Sequence, residues 1–182
     1  MTYATDSIRS ACSAQMMFET PLGPLLLART SRGLAGAWFE GQRHHPPLLD
    51  APHVRDDPLL TRVAAQLRAY FDGARRPFDV PLDLQGTPFQ RAVWDVLLGI
   101  EPGVTRTYGD VARAIGSPVA VRAVGSAVGR NPVSIVVPCH RVIGSDGTLT
   151  GYAGGIDRKI ALLRLEAAPC VAVNASSAET LH

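Results

Sequence analysis

The stretch TYGDVARAIGSPVAVRAVGSAVGRNPVSIVVPCHRV, residues 107–142, reads as two short helices and a buried strand in close succession. Thr107 can cap the first helix with Asp110 three residues on, a reciprocal pairing that satisfies free amides at a helix start. Val111, Ala112 and Ile115 supply its apolar side, and Gly116 stops it. Ser117-Pro118 then starts a second helix, cap followed by proline, and Asn131-Pro132 ends it. Two short helices joined by a glycine-bearing turn have the form of a helix-turn-helix. On a helical wheel Val121, Val124 and Val128 form the buried stripe, opposite Val119, Arg122, Ala123 and Ser126. A helix that reads the major groove presents several long polar side chains; this one presents a single arginine among small residues. Such a face suits either close helix packing or close approach of the helix backbone to DNA, as in the minor groove, and both readings stand at this point.

Val133 to Val137 is apolar and largely β-branched, as a buried strand would be, and it runs into Pro138-Cys139-His140-Arg141-Val142. A cysteine just past a strand end sits where loops expose reactive groups on a rigid frame. Its thiolate is the nucleophilic form, so a base or a positive charge must be near, and His140 and Arg141 adjoin it. An inert, buried cysteine is the other reading of the same residue. Further on, Gly144 to Gly147 is a turn and Gly151 to Gly155 a second glycine-rich segment. Ile156 to Glu166 reads as the last helix, with Glu166 in the sector of Ile160, Leu162 and Leu163. A carboxylate placed there needs a partner. Lys159 shares the sector, so the wheel leaves that partner open.

Upstream, Thr87-Pro88 opens a helix that carries Phe89, Val93, Val96 and Leu97, and Glu101 to Thr105 is a turn. The first half is different. Met17–Thr20, Leu25–Arg29 and Leu34–Phe39 are strand-like and separated by turn signals, and His44 to Pro58 is a proline-bearing loop. Leu59 to Phe71 is helical, and Arg76 to Leu84 alternates as one more strand. The expected architecture is an α/β lobe over residues 15–84 and a mainly α domain over 86–168, with residues 1–14 and 169–182 as flexible termini.

Composition narrows the class. The 182 residues carry a net charge of +2, and only Lys159 among the eighteen basic residues is a lysine. Residues 85–166 hold nine basic side chains against six acids, which permits a polyanionic partner without requiring one. The longest apolar runs fall short of the roughly 20 residues of a membrane span. The N-terminal stretch lacks the pattern of a secretion signal. Three widely spaced cysteines are not a disulfide framework, so a reducing, cytoplasmic setting is expected.

Pro138-Cys139-His140-Arg141-Val142 resembles the active-site motif of the O6-alkylguanine-DNA alkyltransferases. The resemblance extends, in order, to Phe89-Gln90, Val93-Trp94, Thr107-Tyr108-Gly109, Arg122-Ala123-Val124-Gly125, Asn131-Pro132, Gly151-Tyr152 with Gly154-Gly155, and Glu166. These blocks cover about 80 residues; the first half resembles the family only through Pro21-Leu22-Gly23-Pro24-Leu25.

The resemblance implies a ribonuclease H-like lobe, a winged-helix-like second domain, and DNA repair by one-time transfer of an alkyl group to the protein itself. Cys139 would accept the group, with His140 as base through a water and Glu166 orienting that histidine. Tyr108 would serve the leaving guanine, and Asn131 would order the loop before the cysteine. Pro138, Val142, Tyr152 and Ala153 would line the base pocket. Arg122 would enter the base stack, with Ala120, Ala123, Gly125 and Ser126 against the minor groove of double-stranded DNA holding O6-alkylguanine. The base must leave the duplex to react. No cofactor, metal or membrane is implied, and the protein would act as a monomer that can cluster on DNA.

Departures from the family pattern are Ala153, where some members have serine, and Pro102, where an aromatic residue is usual. Cys12, His44, His45 and His53 lack metal-ligand spacing. The rival readings are a damage-binding protein without transfer and a helix-turn-helix regulator with an inert cysteine. A cysteine hydrolase ranks last, and turnover on an acyl substrate would mark it.

Overall fold

The computed structural model describes residues 8–167. A three-stranded antiparallel sheet, in order β1 (Ala14–Thr20), β2 (Gly23–Arg29) and β3 (Leu34–Phe39), opens the chain. Thr20 and Gly23 close the first hairpin: Thr20 Oγ1 donates to the Gly23 carbonyl at 2.7 Å, and Gly23 takes φ +106, which a side chain would strain. Alternation along β2 divides the lobe. Leu25 and Leu27 face the main core with Leu34, Ala37 and Phe39, while Leu26 and Ala28 face a second cluster with Ala35 and Trp38. Helix α1 (Pro58–Phe71) covers the first face with Leu60, Val63, Ala64, Leu67 and Tyr70, its start capped by Asp57.

The second half is helical: α2 (Pro88–Leu98), α3 (Tyr108–Ala114), α4 (Val121–Gly129) and α5 (Ile156–Leu165). Thr87 with Gln90 and Thr107 with Asp110 both form reciprocal capping boxes. Gly116 turns the chain between α3 and α4 at φ +73, and Trp94 of α2 donates its indole N–H to the Ala127 carbonyl of α4 at 2.9 Å. A short parallel pair, β4 (Arg106–Thr107) with β5 (Val142–Ile143), ties the start of α3 to the segment after Cys139. The chain is thus a small sheet domain followed by a helical domain, and one apolar core runs through both.

Several expectations are corrected. Arg76 to Leu84 is not a ladder strand; Leu82 makes one isolated bridge to Leu34. Pro77 and Pro81 lack the N–H groups a strand would offer there, so pairing is confined to Leu34 N with the Pro81 carbonyl and Asp83 N with the Leu34 carbonyl. Ser117-Pro118 does not start α4. Residues 117–120 form a turn, closed by Ala120 N on the Ser117 carbonyl, and the helix begins at Val121 without a side-chain cap. That places Val121 at the exposed end, and Ala127 takes its place in the buried stripe beside Val124 and Val128. Residues 8–14 are ordered against the sheet: residues 8–11 form a helical turn, and Ile8 and Cys12, four apart, insert into the second cluster. The rest of the expected flexible termini, residues 1–7 and 169–182, lies outside the described residues.

Val133 to Val137 is buried but turned, with Val133 bridged singly to Ala37 and Ile135 at φ +72. An apolar run signals burial, and it cannot by itself distinguish a strand from a buried turn. Here the free edge of β3 fixes the segment. Ala37 N donates to the Pro132 carbonyl, and Ser134 N donates to the Ala37 carbonyl, each at 2.9 Å.

Candidate active site

Asn131, just past α4, organises the turn that carries the cysteine. Its side-chain oxygen accepts Val133 N at 3.0 Å; its nitrogen donates to the Val137 carbonyl at 2.8 Å and to Cys139 Sγ at 3.0 Å. The Asn131 side chain is itself buried, so these bonds replace water for the groups it reaches. Asn131→Ala is expected to lower stability by about 2 kcal/mol, because it strands the buried Val133 amide at about 1–3 kcal/mol, while the Val137 carbonyl keeps its bond from Cys139 N. A urea titration checks this, and a loss under about 1 kcal/mol would show that the turn closes without the amide.

Pro138 leads into a single 3-10 turn, Cys139–Arg141, whose three side chains are all buried. Burial pushes the Cys139 thiol above its ordinary pKa, against the Asn131 bond and the positive charge of Lys159. At rest the site therefore holds a thiol, and a nucleophile forms only when a base takes its proton.

His140 follows the thiol in sequence. Its Nε2 lies 2.9 Å from Glu166 Oε1, while its Nδ1 is buried with no hydrogen-bond partner among the described residues. An ionised Glu166 requires Nε2 to be the donor, which leaves Nδ1 as the basic nitrogen. Burial pulls the imidazole pKa down and the Glu166 bond opposes it, with the net shift downward. His140 is thus neutral at pH 7.

Glu166 sits at the end of α5 and is saturated with donors. Oε1 also accepts Arg141 at 2.7 Å and the Tyr70 hydroxyl at 2.7 Å; Oε2 accepts Arg141 Nε at 2.9 Å and Gly103 N at 3.3 Å. Arg141 further donates to the Ile100 carbonyl. Burial alone would raise the carboxyl pKa, but the bonds from His140 and Arg141 and their charges hold it well below the usual range. Pro102-Gly103 has a role here: Gly103 turns at φ +81 and aims its N–H at the carboxylate.

Lys159 is a second buried cation of the site, after Arg141. Its Nζ donates to the Val142 carbonyl at 2.6 Å and the Thr150 carbonyl at 2.9 Å, joining the two segments that flank Cys139 and Tyr152. Burial brings its pKa down to about 8, against the pull of the Cys139 charge. Tyr108, the first residue of α3, donates its hydroxyl to the same Thr150 carbonyl at 3.0 Å. Its ring passes 3.9 Å from where a side chain on Gly125 would begin, an ordinary van der Waals contact. Tyr152 is buried and Ala153 half-buried, its carbonyl fixed by Arg43 N at 2.9 Å.

The structure brings Cys139, His140, Glu166, Asn131, Pro138 and Val142 into one buried network, with Tyr108 and Tyr152 close enough to sense the Cys139 charge. Arg122, Ala123 and Ser126 lie elsewhere, exposed on the outer face of α4, with Ala120 half-buried before it. Sequence reading missed Tyr70 and Gly103 as members of the network; it marked Arg141 beside the thiol and Lys159 in the sector of Glu166 without fixing their partners. For Tyr70 the only signal was a hydroxyl at a core position of α1.

Residues 15–84 match the family described as 6-O-methylguanine DNA methyltransferase, ribonuclease-like domain, and residues 88–168 match its DNA binding domain. The chain is similar to the methylated-DNA–protein-cysteine methyltransferase of Methanosarcina acetivorans, 48% identical over 150 residues, which is 82% of this chain and 96% of the relative. The protein of the same name from Mycobacterium bovis is 50% identical over 149 residues, 81% of this chain and 88% of that one. The solved structure of Mycobacterium tuberculosis OGT in complex with DNA aligns with a TM-score of 0.79 at 47% identity, covering 86% of this chain and 96% of that chain.

Proposed function

The chain belongs to the 6-O-methylguanine DNA methyltransferase family, and from that premise we propose how its residues share the work of moving an alkyl group from DNA to Cys139. The protein is a methylated-DNA–protein-cysteine methyltransferase that repairs DNA by direct transfer. The observation that carries the assignment is the buried His140–Glu166 pair, with a free basic nitrogen on the histidine next in sequence to the thiol.

His140 Nδ1 takes the Cys139 proton through one water, and Glu166 stabilises the imidazolium that forms. The sulfur forms a bond to the alkyl carbon as the bond from that carbon to the guanine oxygen breaks. The electron pair leaves with the base, and Tyr108 donates the hydrogen bond or proton that neutralises it. Asn131 holds the Cys139 loop in register while this happens. Pro138, Val142, Tyr152 and Ala153 line the pocket for the flipped guanine. The product is a thioether, a poor leaving group, so each chain acts once.

The exposed face of α4 is the reading for DNA. Ala120, Ala123, Gly125 and Ser126 let the helix lie close in the minor groove, and Arg122 fills the gap left by the extruded nucleotide. The sheet domain reads as ribonuclease H-like, supported by its antiparallel meander with a helix on one face. The helical domain reads as winged-helix-like, the turn at 144–147 after β5 standing as the wing. The protein works in the cytoplasm as a monomer.

A duplex with a radiolabelled O6-methylguanine tests the reading. Label should pass to protein and saturate at one methyl per chain, however much substrate is added. Continued turnover would sink it.

A further inference from the structure

We propose that Tyr70, a residue of the sheet domain, is a positioning residue for the transfer reaction: it holds Glu166 against His140 and so tunes the base. The inference rests on the reading of His140 as that base. Tyr70 lies in the last turn of α1, and its hydroxyl donates at 2.7 Å to Oε1 of Glu166, the oxygen that also receives His140 Nε2 at 2.9 Å. The other donors to this carboxylate, His140, Arg141 and Gly103, belong to the helical domain. Among the described residues Tyr70 is the one donor that the sheet domain contributes.

Packing alone does not account for the hydroxyl. The Tyr70 ring fills the core beside Phe71, edge-on with centroids 5.5 Å apart, and beside Phe78 at 5.8 Å. Phenylalanine would serve that contact equally. The phenol remains a donor at every working pH, since burial, then the Glu166 charge and its hydrogen bond, push its pKa upward. A neutral donor on Oε1 draws off part of the charge that would otherwise stabilise the imidazolium. Tyr70 therefore keeps His140 a weaker base than Glu166 and His140 alone would make it. It also makes the base depend on docking of the two domains.

The groups facing the pair are Tyr70 from α1, Arg141 and Cys139 from the 3-10 turn, Lys159 from α5, and Tyr152. Lys159, with its pKa near 8, changes charge alike in both proteins, so the comparison is made below pH 7. Single-turnover methyl transfer is measured against pH for the full chain and for Tyr70→Phe. Without the phenol, the undiminished Glu166 charge holds a proton on His140 to higher pH. The acid limb of the rate is expected to move up by about half to one pH unit. Replacing Tyr70 with 3-fluorotyrosine, a stronger donor, should move the limb the opposite way. NMR titration of the His140 ring, without DNA, should follow both shifts. A lower melting temperature with an unmoved limb and unmoved ring titration would overturn the proposal and leave Tyr70 a core residue. Absence of any transfer by the wild-type chain would sink the reading of the base, while the ring titration still decides what Tyr70 does to His140.

Discussion

Cys139→Ala is expected to bind a duplex carrying O6-methylguanine and never to take its methyl group. The thiol is buried, with 4% of the residue exposed, and Arg122 lies elsewhere on the exposed face of α4, so its removal leaves that face unchanged. Affinity measured by fluorescence anisotropy should stay within about threefold of wild type, below the roughly 1 kcal/mol that a tenfold change exceeds. Labelled methyl transfer should drop to background. The other described cysteine cannot substitute. Cys12 lies in the second cluster, where burial and then the Asp83 charge raise its pKa to about 11. Cys139 differs in having Asn131 and Lys159 on the side of the thiolate. Residual labelling of the variant would move the acceptor to another residue.

Glu166→Ala should be the most damaging single change for both folding and rate. Arg141, 6% exposed, places two nitrogens on this carboxylate and would be left a buried cation without a counter-charge. Loss of one partner from a buried pair costs about 3–5 kcal/mol, enough to unfold many domains of this size. Glu166→Gln keeps the shape and allows the rate to be read. With the carboxylate gone, His140 loses both orientation and stabilisation of its charged form, and transfer should slow by roughly 10²–10⁴-fold. Single-turnover rates and urea titrations at pH 7 check the two parts; a variant within about tenfold of wild type would contradict the role given to Glu166.

Acid works on the same pair. The folded His140 pKa lies below its ordinary 6.5, so the unfolded chain binds the extra proton first. Stability is full above that value and falls as pH drops through the histidine range. Glu166, also depressed, adds a second loss further down, as pH falls through the carboxylate range.

Much of this was legible because local chemistry and tertiary structure agree. Thr107 with Asp110 and Thr87 with Gln90 announce helix starts, and both form the expected boxes. The Cys139-His140 pair and Glu166 stood out as chemistry in need of partners. What stayed hidden was decided across the chain. Nothing local says that Tyr70, 96 positions from Glu166, bonds to it, or that Gly103 turns its amide to the same carboxylate. Val133 to Val137 misled because β-branched composition reports burial, and the Asn131 amide then bends the run into a turn. Ser117-Pro118 misled for a similar reason: its cap-and-proline pattern closes a turn before the helix as readily as the helix itself.

The central claim is that one sulfur is the final acceptor. The purified chain, incubated with excess duplex holding a single O6-methylguanine, is measured by intact mass and then by peptide mapping. One added methyl group is expected in place of the thiol hydrogen, located on Cys139 and saturating at one per chain. Tight binding to the damaged duplex with no change in mass, or a methyl group mapped to any other residue, would contradict it.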